Sequence, residues 1–206
     1  MPHKFAEIAF TPTVRKVQET TGSRAAYVRM DADAGDMNHQ LGDAERNFIA
    51  ARNSFYMATV SETGWPYMQH RGGPPGFVRV LDSKTIGFAD FRGNRQYISV
   101  GNLLTDDRIS MFFMDYPART RLKLLGRARI VDPDNTATLS LLEMPHYRAR
   151  VERGFIVTVE AFDWNCPQHI TQRYTREEMD MLAAPLRERI AELEAELLRL
   201  KNPGAA

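Results

Sequence analysis

A single cysteine, Cys166, is all that the 206-residue sequence offers for cross-linking. No disulfide can form within the chain, and the stapled scaffold of a small secreted domain is excluded. An excess of charge of one sign is also missing. Lys plus Arg numbers 27 against 26 for Asp plus Glu, a formal net charge of +1. No global basic field exists to recruit nucleic acid or an anionic membrane, so any anion site must be local. Long apolar runs are absent too: the greasiest stretch, Ile109 to Met114, is far too short to span a bilayer, and MPHKFAEIAF lacks the h-region of a signal peptide. A cytoplasmic chain that neither crosses membranes nor binds nucleic acid is expected. His3, His39, His70, His146 and His169 show no metal-ligand spacing, and no H-E-x-x-H or paired cysteine occurs, so no metal site is expected. The lack of G-x-S-x-G, Walker A and strand-to-helix G-x-G-x-x-G patterns argues against serine hydrolase, nucleotide hydrolase and Rossmann readings.

What is present reads as one domain with appendages, long enough to bury about 70% of its unfolded surface. Thr11 and Pro12 form an N-cap and first-turn pair that predicts a short helix ending at Gly22. After a polar loop from Asp31 to Asn38, the segment LGDAERNFIAARN has helical spacing. From Ser54 the texture changes to short β-branched and aromatic runs: SFYMATV, PYMQHRG, FVRVLD, TIGFADF, RISMFFMDY, RLKLLGRARIV and FIVTVEAFDW. Regular turn signals between them predict an antiparallel barrel rather than alternating βαβ units. YISVGNLLTDD and NTATLSLLEM read as helices over its openings. The tail repeats apolar residues at Met179, Leu182, Leu186, Ile190, Leu193, Leu197 and Leu200, a coiled-coil-like seam that suits either a second chain or the chain's own barrel. Pro185 is expected to end a first turn or to begin the long helix. The organisation is therefore an N-terminal helical strap over 1–53, a barrel domain over 54–174 and an amphipathic helix over 175–206.

Three segments could carry chemistry. In FADFRGNRQYISVGNL an apolar strand enters a turn holding Arg92, Gly93, Asn94 and Arg95 before a helix begins. Guanidinium groups, a permissive glycine and a helix start suit a phosphate, although the same residues also make an ordinary solvated hairpin. In QHRGGPPGFVRV, Gln69, His70 and Arg71 adjoin glycines of the kind that let a ligand approach backbone, or that form a bulge. AFDWNCPQHITQRY gathers Trp164, Cys166, Gln168 and His169 near the end of the barrel, as a pocket wall or as core and turn. Cys166 has no charge partner in view and reads as a small buried residue.

The hairpin ATVSETGWPYMQHRGG, the strand and turn FADFRGNRQYISVGNL, the strand after DDRISMFF and the strand RTRLKLLGRARI together resemble the pyridoxamine 5'-phosphate oxidase-related family of FMN-binding split barrels. The resemblance runs from about Phe48 to Thr171. It implies a mainly β fold, an antiparallel split β-barrel with flanking helices, and FMN at the interface of a homodimer. It assigns cofactor contacts to Gln69, His70 and Arg71, to Arg92, Asn94, Arg95 and Gln96, and to Ser99 and Asn102 on the following helix. Arg121 matches the place that meets the flavin ring, and Trp164, Gln168 and His169 match the C-terminal wall beside it. Gln69 stands where pyridoxamine phosphate oxidase proper has an arginine, Gln96 follows Arg95 where that enzyme has adjacent basic residues, and its arginine- and histidine-bearing C-terminal strand is not recognisable. These departures point to the broader branch of the family.

The resemblance thus implies a flavoprotein oxidoreductase that moves electrons between a reduced nicotinamide and a small organic acceptor or oxygen. A strict general acid or base is not identifiable. A non-catalytic flavin carrier or sensor, or a split barrel holding deazaflavin or haem, would use the same anchors.

Overall fold

A computed structural model describes residues 3–30, 38–164 and 168–201. Asn165, Cys166 and Pro167, and most of the polar loop after Met30, lie outside the described residues. The chain divides into two compact units, Met1–Asp115 with Thr120–Pro167, and Tyr116–Arg119 with Gln168–Ala206.

In the first unit, the apolar runs become seven strands: β1 (Ser54–Val60), β2 (Pro66–Gly72), β3 (Val78–Val80), β4 (Thr85–Phe91), β5 (Arg108–Asp115), β6 (Thr120–Val131) and β7 (Val151–Trp164). All pairings are antiparallel, in the order β2-β1-β5-β6-β7-β4-β3. The result is a split barrel whose edge strands are β2 and β3. Alternation decides which side chains enter it. On β1, Phe55 and Met57 are buried while their neighbours are partly exposed, the period of two that a one-sided strand requires. The barrel interior is aromatic: Phe55 packs on Phe77, Phe88 and Phe113 at centroid distances of 5.7, 5.0 and 5.2 Å, and Phe88 stacks on Phe155 at 5.1 Å. β4 and the middle of β7 are buried on both faces. Their outer side meets α6 (Thr136–Leu142), where Leu139 and Leu142 join Ala89, Val131 and Ile156 in a second cluster.

Close approach of neighbouring backbone makes Gly126 the strictest glycine requirement in this sheet. The β6–β7 register shifts between Leu125 and Gly126, and a Cβ on Gly126 would stand 2.6 Å from the Thr158 carbonyl oxygen. Because that neighbour is backbone, Gly126→Ala is expected to lower stability by about 2 kcal/mol, the scale of overpacking a tight site. Urea denaturation would measure it.

The helices before the barrel are α1 (Lys4–Ala9), α2 (Pro12–Thr20), α3 (Arg24–Tyr27) and α4 (Asp43–Ala50), with a 3-10 turn at Val28–Met30. Thr11 caps α2 as the sequence predicts, its Oγ1 accepting from Val14 N at 3.4 Å. In α4, the Glu45 carboxylate accepts from Gly42 N at 2.9 Å and so satisfies one of the free N–H groups before the helix. α5 (Ile98–Leu103) follows the turn after β4.

The second unit carries α7 (Arg176–Lys201), with Thr175 before it accepting from Glu178 N and donating its own N–H to the Glu178 carboxylate. The helix continues through Pro185. The sequence places a helix boundary at or near this residue; the structure corrects that. Proline removes one backbone donor from a helix interior but does not forbid the following turns, and the sixteen residues beyond it, mostly strong helix formers, continue the helix.

Candidate functional site

The split leaves a cleft of about 300 Å³ between β2, β4, the turn after β4 and the start of α5. On β2, alternation turns Tyr67, Gln69 and Arg71 to one side and Met68 and His70 to the other. Tyr67, Gln69 and Arg71 therefore face β4, whereas the His70 ring packs on Tyr56 at 5.5 Å although the residue borders the cleft.

Arg71 organises the floor. Its Nη1 pairs with the Asp90 carboxylate on β4, its Nη2 donates to Gln69 Oε1 at 3.1 Å, and its guanidinium lies 4.8 Å over the Phe155 ring. The pair thereby bridges β2, at one end of the sheet order, and β4, the strand next to the other end. Gln69 Oε1 accepts a second bond, from Ser99 Oγ at 3.1 Å. The Arg71 Nε is buried without a hydrogen-bond partner, an unmet donor that costs about 1–3 kcal/mol unless something else receives it. Arg153 reaches Asp90 from the other side, with Nε 3.4 Å from Oδ2 but in poor bonding geometry, so that its Nε is also unsatisfied.

The rim is the turn between β4 and α5. Asn94 folds it, Oδ1 accepting from Gln96 N and Nδ2 donating to Gln96 Oε1, both at 3.3 Å. Two non-glycine residues then adopt positive φ, Arg95 at 60° and Tyr97 at 55°, a conformation that L side chains rarely take and that costs of order 1 kcal/mol each. The strain presents the Arg95 side chain at the rim, where Nε donates to the Tyr97 hydroxyl at 3.0 Å. That bond, and then the electrostatic influence of Tyr97 and Glu152, raise the Arg95 pKa above its usual value, so it is cationic at any accessible pH. Tyr97 in turn donates to Glu152 at 3.3 Å. Glu152 also receives Arg92 Nε at 3.7 Å and Arg153 Nη2 at 3.5 Å.

Four guanidinium groups thus surround two carboxylates, which gives a local positive surplus on a chain that is nearly neutral overall. Of the thirteen residues that the sequence nominates, the structure brings Gln69, His70, Arg71, Asn94, Arg95, Gln96 and Ser99 to this cleft. Arg92 stands beside it through Glu152. Asn102 does not line it. Its Nδ2 donates to Thr59 Oγ1 at 2.9 Å in the interior and ties α5 to β1. Arg121 lies on β6 over Phe112 at 5.8 Å. Trp164 closes a different corner, with Nε1 donating to Glu45 Oε1 at 2.7 Å and its ring edge-on to Phe48 at 4.8 Å. Gln168 and His169 belong to the second unit, in an exposed turn where His169 has φ 61°. Sequence reasoning passed over Asp90, Glu152, Arg153 and Tyr97. Acidic residues are not sought at an anion site, yet here they hold the arginines in place.

A family model described as pyridoxamine 5'-phosphate oxidase matches residues 41–161. Among solved structures, a candidate pyridoxamine 5'-phosphate oxidase of Lactobacillus delbrueckii is similar at 19% identity, over 62% of this chain and 96% of its own, with a TM-score of 0.47. HupZ of Group A Streptococcus is similar at 17% identity, over 65% and 99%, with a TM-score of 0.45. A Clostridium acetobutylicum protein related to general stress protein 26 is similar at 15% identity, over 66% and 94%, with a TM-score of 0.44. No curated protein sequence matches the chain. Among the described residues, no group of three or more His, Cys, Asp or Glu could hold a metal, and no helix is long and apolar enough to cross a membrane.

Proposed function

The chain belongs to the pyridoxamine 5'-phosphate oxidase family, and on that premise we propose that it is an FMN-binding oxidoreductase, working as a homodimer, with the FMN phosphate held in the cleft between β2 and the turn after β4. The observation that carries this reading is the pair of differently prepared arginines. Arg71 is fixed in the cleft wall with a buried Nε lacking an acceptor, and Arg95 is held at the rim by strained backbone. Phosphate oxygens would satisfy such donors with charge-assisted bonds. The Asn94 and Gln96 amides and the Ser99 hydroxyl supply further polar contacts at the same place.

The cleft's volume sits at the lower end for a small-molecule site, which suits one part of a cofactor, with the remainder covered by a second copy. Bound there, FMN would supply reversible one- or two-electron chemistry. The chain's own part is to neutralise the phosphate and hold its orientation. Asp90 and Glu152 offset the mutual repulsion of the arginines and hold them in place, and Tyr67 and Phe77 give the cleft an apolar side. The electron donor is a reduced nicotinamide and the acceptor a small organic molecule or oxygen.

Purified chain is expected to bind one FMN per protomer, with quenched flavin fluorescence, and to bleach on addition of NADH or NADPH with recovery on exposure to an acceptor. Binding without bleaching by either nicotinamide would make it a flavin carrier. Failure to bind FMN, with retention of deazaflavin or haem instead, would overturn the cofactor assignment.

A further inference from the structure

α7 carries an apolar seam that is complementary to itself. From Met179 the residues at alternating intervals of four and three are Ala183, Leu186, Ile190, Leu193, Leu197 and Leu200, a continuous heptad register some 32 Å long at 1.5 Å per residue. Ala183 is half-buried, and the other six side chains are between 41% and 70% exposed. Solvated apolar area of that extent along one line marks an interaction surface. Pro185 falls outside the seam and does not interrupt it.

The flanking charges say what covers it. One flank carries Asp180, Arg187, Glu194 and Lys201, and the other carries Arg189 and Glu196 beside Leu182. When a second α7 is laid antiparallel with Ile190 against Leu193 and Leu186 against Leu197, every flanking charge meets its opposite: Asp180 with Lys201, Arg187 with Glu194, and Arg189 with Glu196. Each pair occurs twice by symmetry. The parallel arrangement makes only Arg189 with Glu194 and Glu196 with Lys201 across the seam, and it leaves Asp180 and Arg187 only each other, within one helix at 3.1 Å. An anionic lipid surface is a poor alternative, because the helix has seven carboxylates against five basic side chains. We infer that α7 pairs antiparallel with α7 of a second copy of this chain, along the seam from Ala183 to Leu200.

Three heptads associate weakly on their own, so the pairing acts as a tether whose strength rises when another interface holds the same two chains close. It rests on α7 alone and not on the cofactor reading.

The test uses the full chain carrying Cys166→Ser, so that introduced thiols are the only ones. With Ala183→Cys and Leu200→Cys together, mild oxidation is expected to give a disulfide-linked dimer on a non-reducing gel. The two positions lie about 25 Å apart within one helix, too far to bridge within a chain, but they face each other across the antiparallel pair. Leu200→Cys alone should remain monomeric on the gel, and adding Leu193→Glu to the double variant should abolish the cross-link. Efficient cross-linking by Leu200→Cys alone would overturn the antiparallel pairing. No cross-link from the double variant, or one that survives Leu193→Glu, would overturn the seam as the contact. None of these readouts involves flavin.

Discussion

Arg95→Ala is expected to weaken FMN binding by about 10- to 100-fold while leaving folding stability essentially unchanged. The two halves follow from one geometry. Arg95 stands at the rim with its Nε on the Tyr97 hydroxyl, so its positive charge has no directly bonded carboxylate and is available to an anion. A hydrogen bond to a charged partner is worth about 1.5–3 kcal/mol, which gives the loss in affinity. Nothing in the core depends on it, and exposed substitutions cost little. Fluorescence titration and urea denaturation on the same preparation would read both quantities. A large loss of stability would mean that the turn is structural, and unchanged affinity would remove Arg95 from the site.

Arg71→Ala is expected to behave in the opposite proportion, costing about 3 kcal/mol of stability and a smaller share of FMN affinity. Its charge is already shared with Asp90, and both side chains are nearly buried. Removing one member of a buried pair strands the other, a loss of about 3–5 kcal/mol when no partner remains. Arg153 beside Asp90 keeps the cost at the low end of that range. The stacking over Phe155 is lost as well. Arg71→Lys should recover part of the stability through its charge. It should recover less of the affinity, because an ammonium group lacks the planar fork of donors.

Much of the fold was legible because strand alternation writes itself into sequence. SFYMATV and TIGFADF coincide with β1 and β4 to the residue. β7 begins at Val151, four residues before the run FIVTVEAFDW, since Val151–Gly154 pairs with β6 and β4 without an apolar pattern of its own. α1 was invisible because its cap is His3, whose Nδ1 accepts from Ala6 N, and histidine is not among the usual capping residues.

At the site, the sequence showed which residues could bind an anion but not which of them share a wall. Gln69 and Arg71 face β4 while His70 between them does not, a consequence of the pleat that becomes useful only once the partner strand is known. Asn102 and Ser99 sit three apart on α5, yet one is turned to Thr59 in the interior and the other to Gln69 in the cleft. Trp164 looked like a ring-stacking residue and instead answers the Glu45 carboxylate, 119 positions earlier in the chain. The arginines were conspicuous, whereas Asp90, Glu152 and Tyr97, which set their geometry, were not.

The central claim is that this cleft binds the phosphate of FMN rather than merely tolerating a flavin ring nearby. Comparing FMN with riboflavin by isothermal titration isolates it, because the two ligands differ only in that phosphate. FMN is expected to bind at least about 100-fold more tightly, the equivalent of two charge-assisted bonds, with the ratio falling by about 10- to 100-fold in Arg95→Ala. Equal affinity for FMN and riboflavin in the unmodified chain would contradict the account.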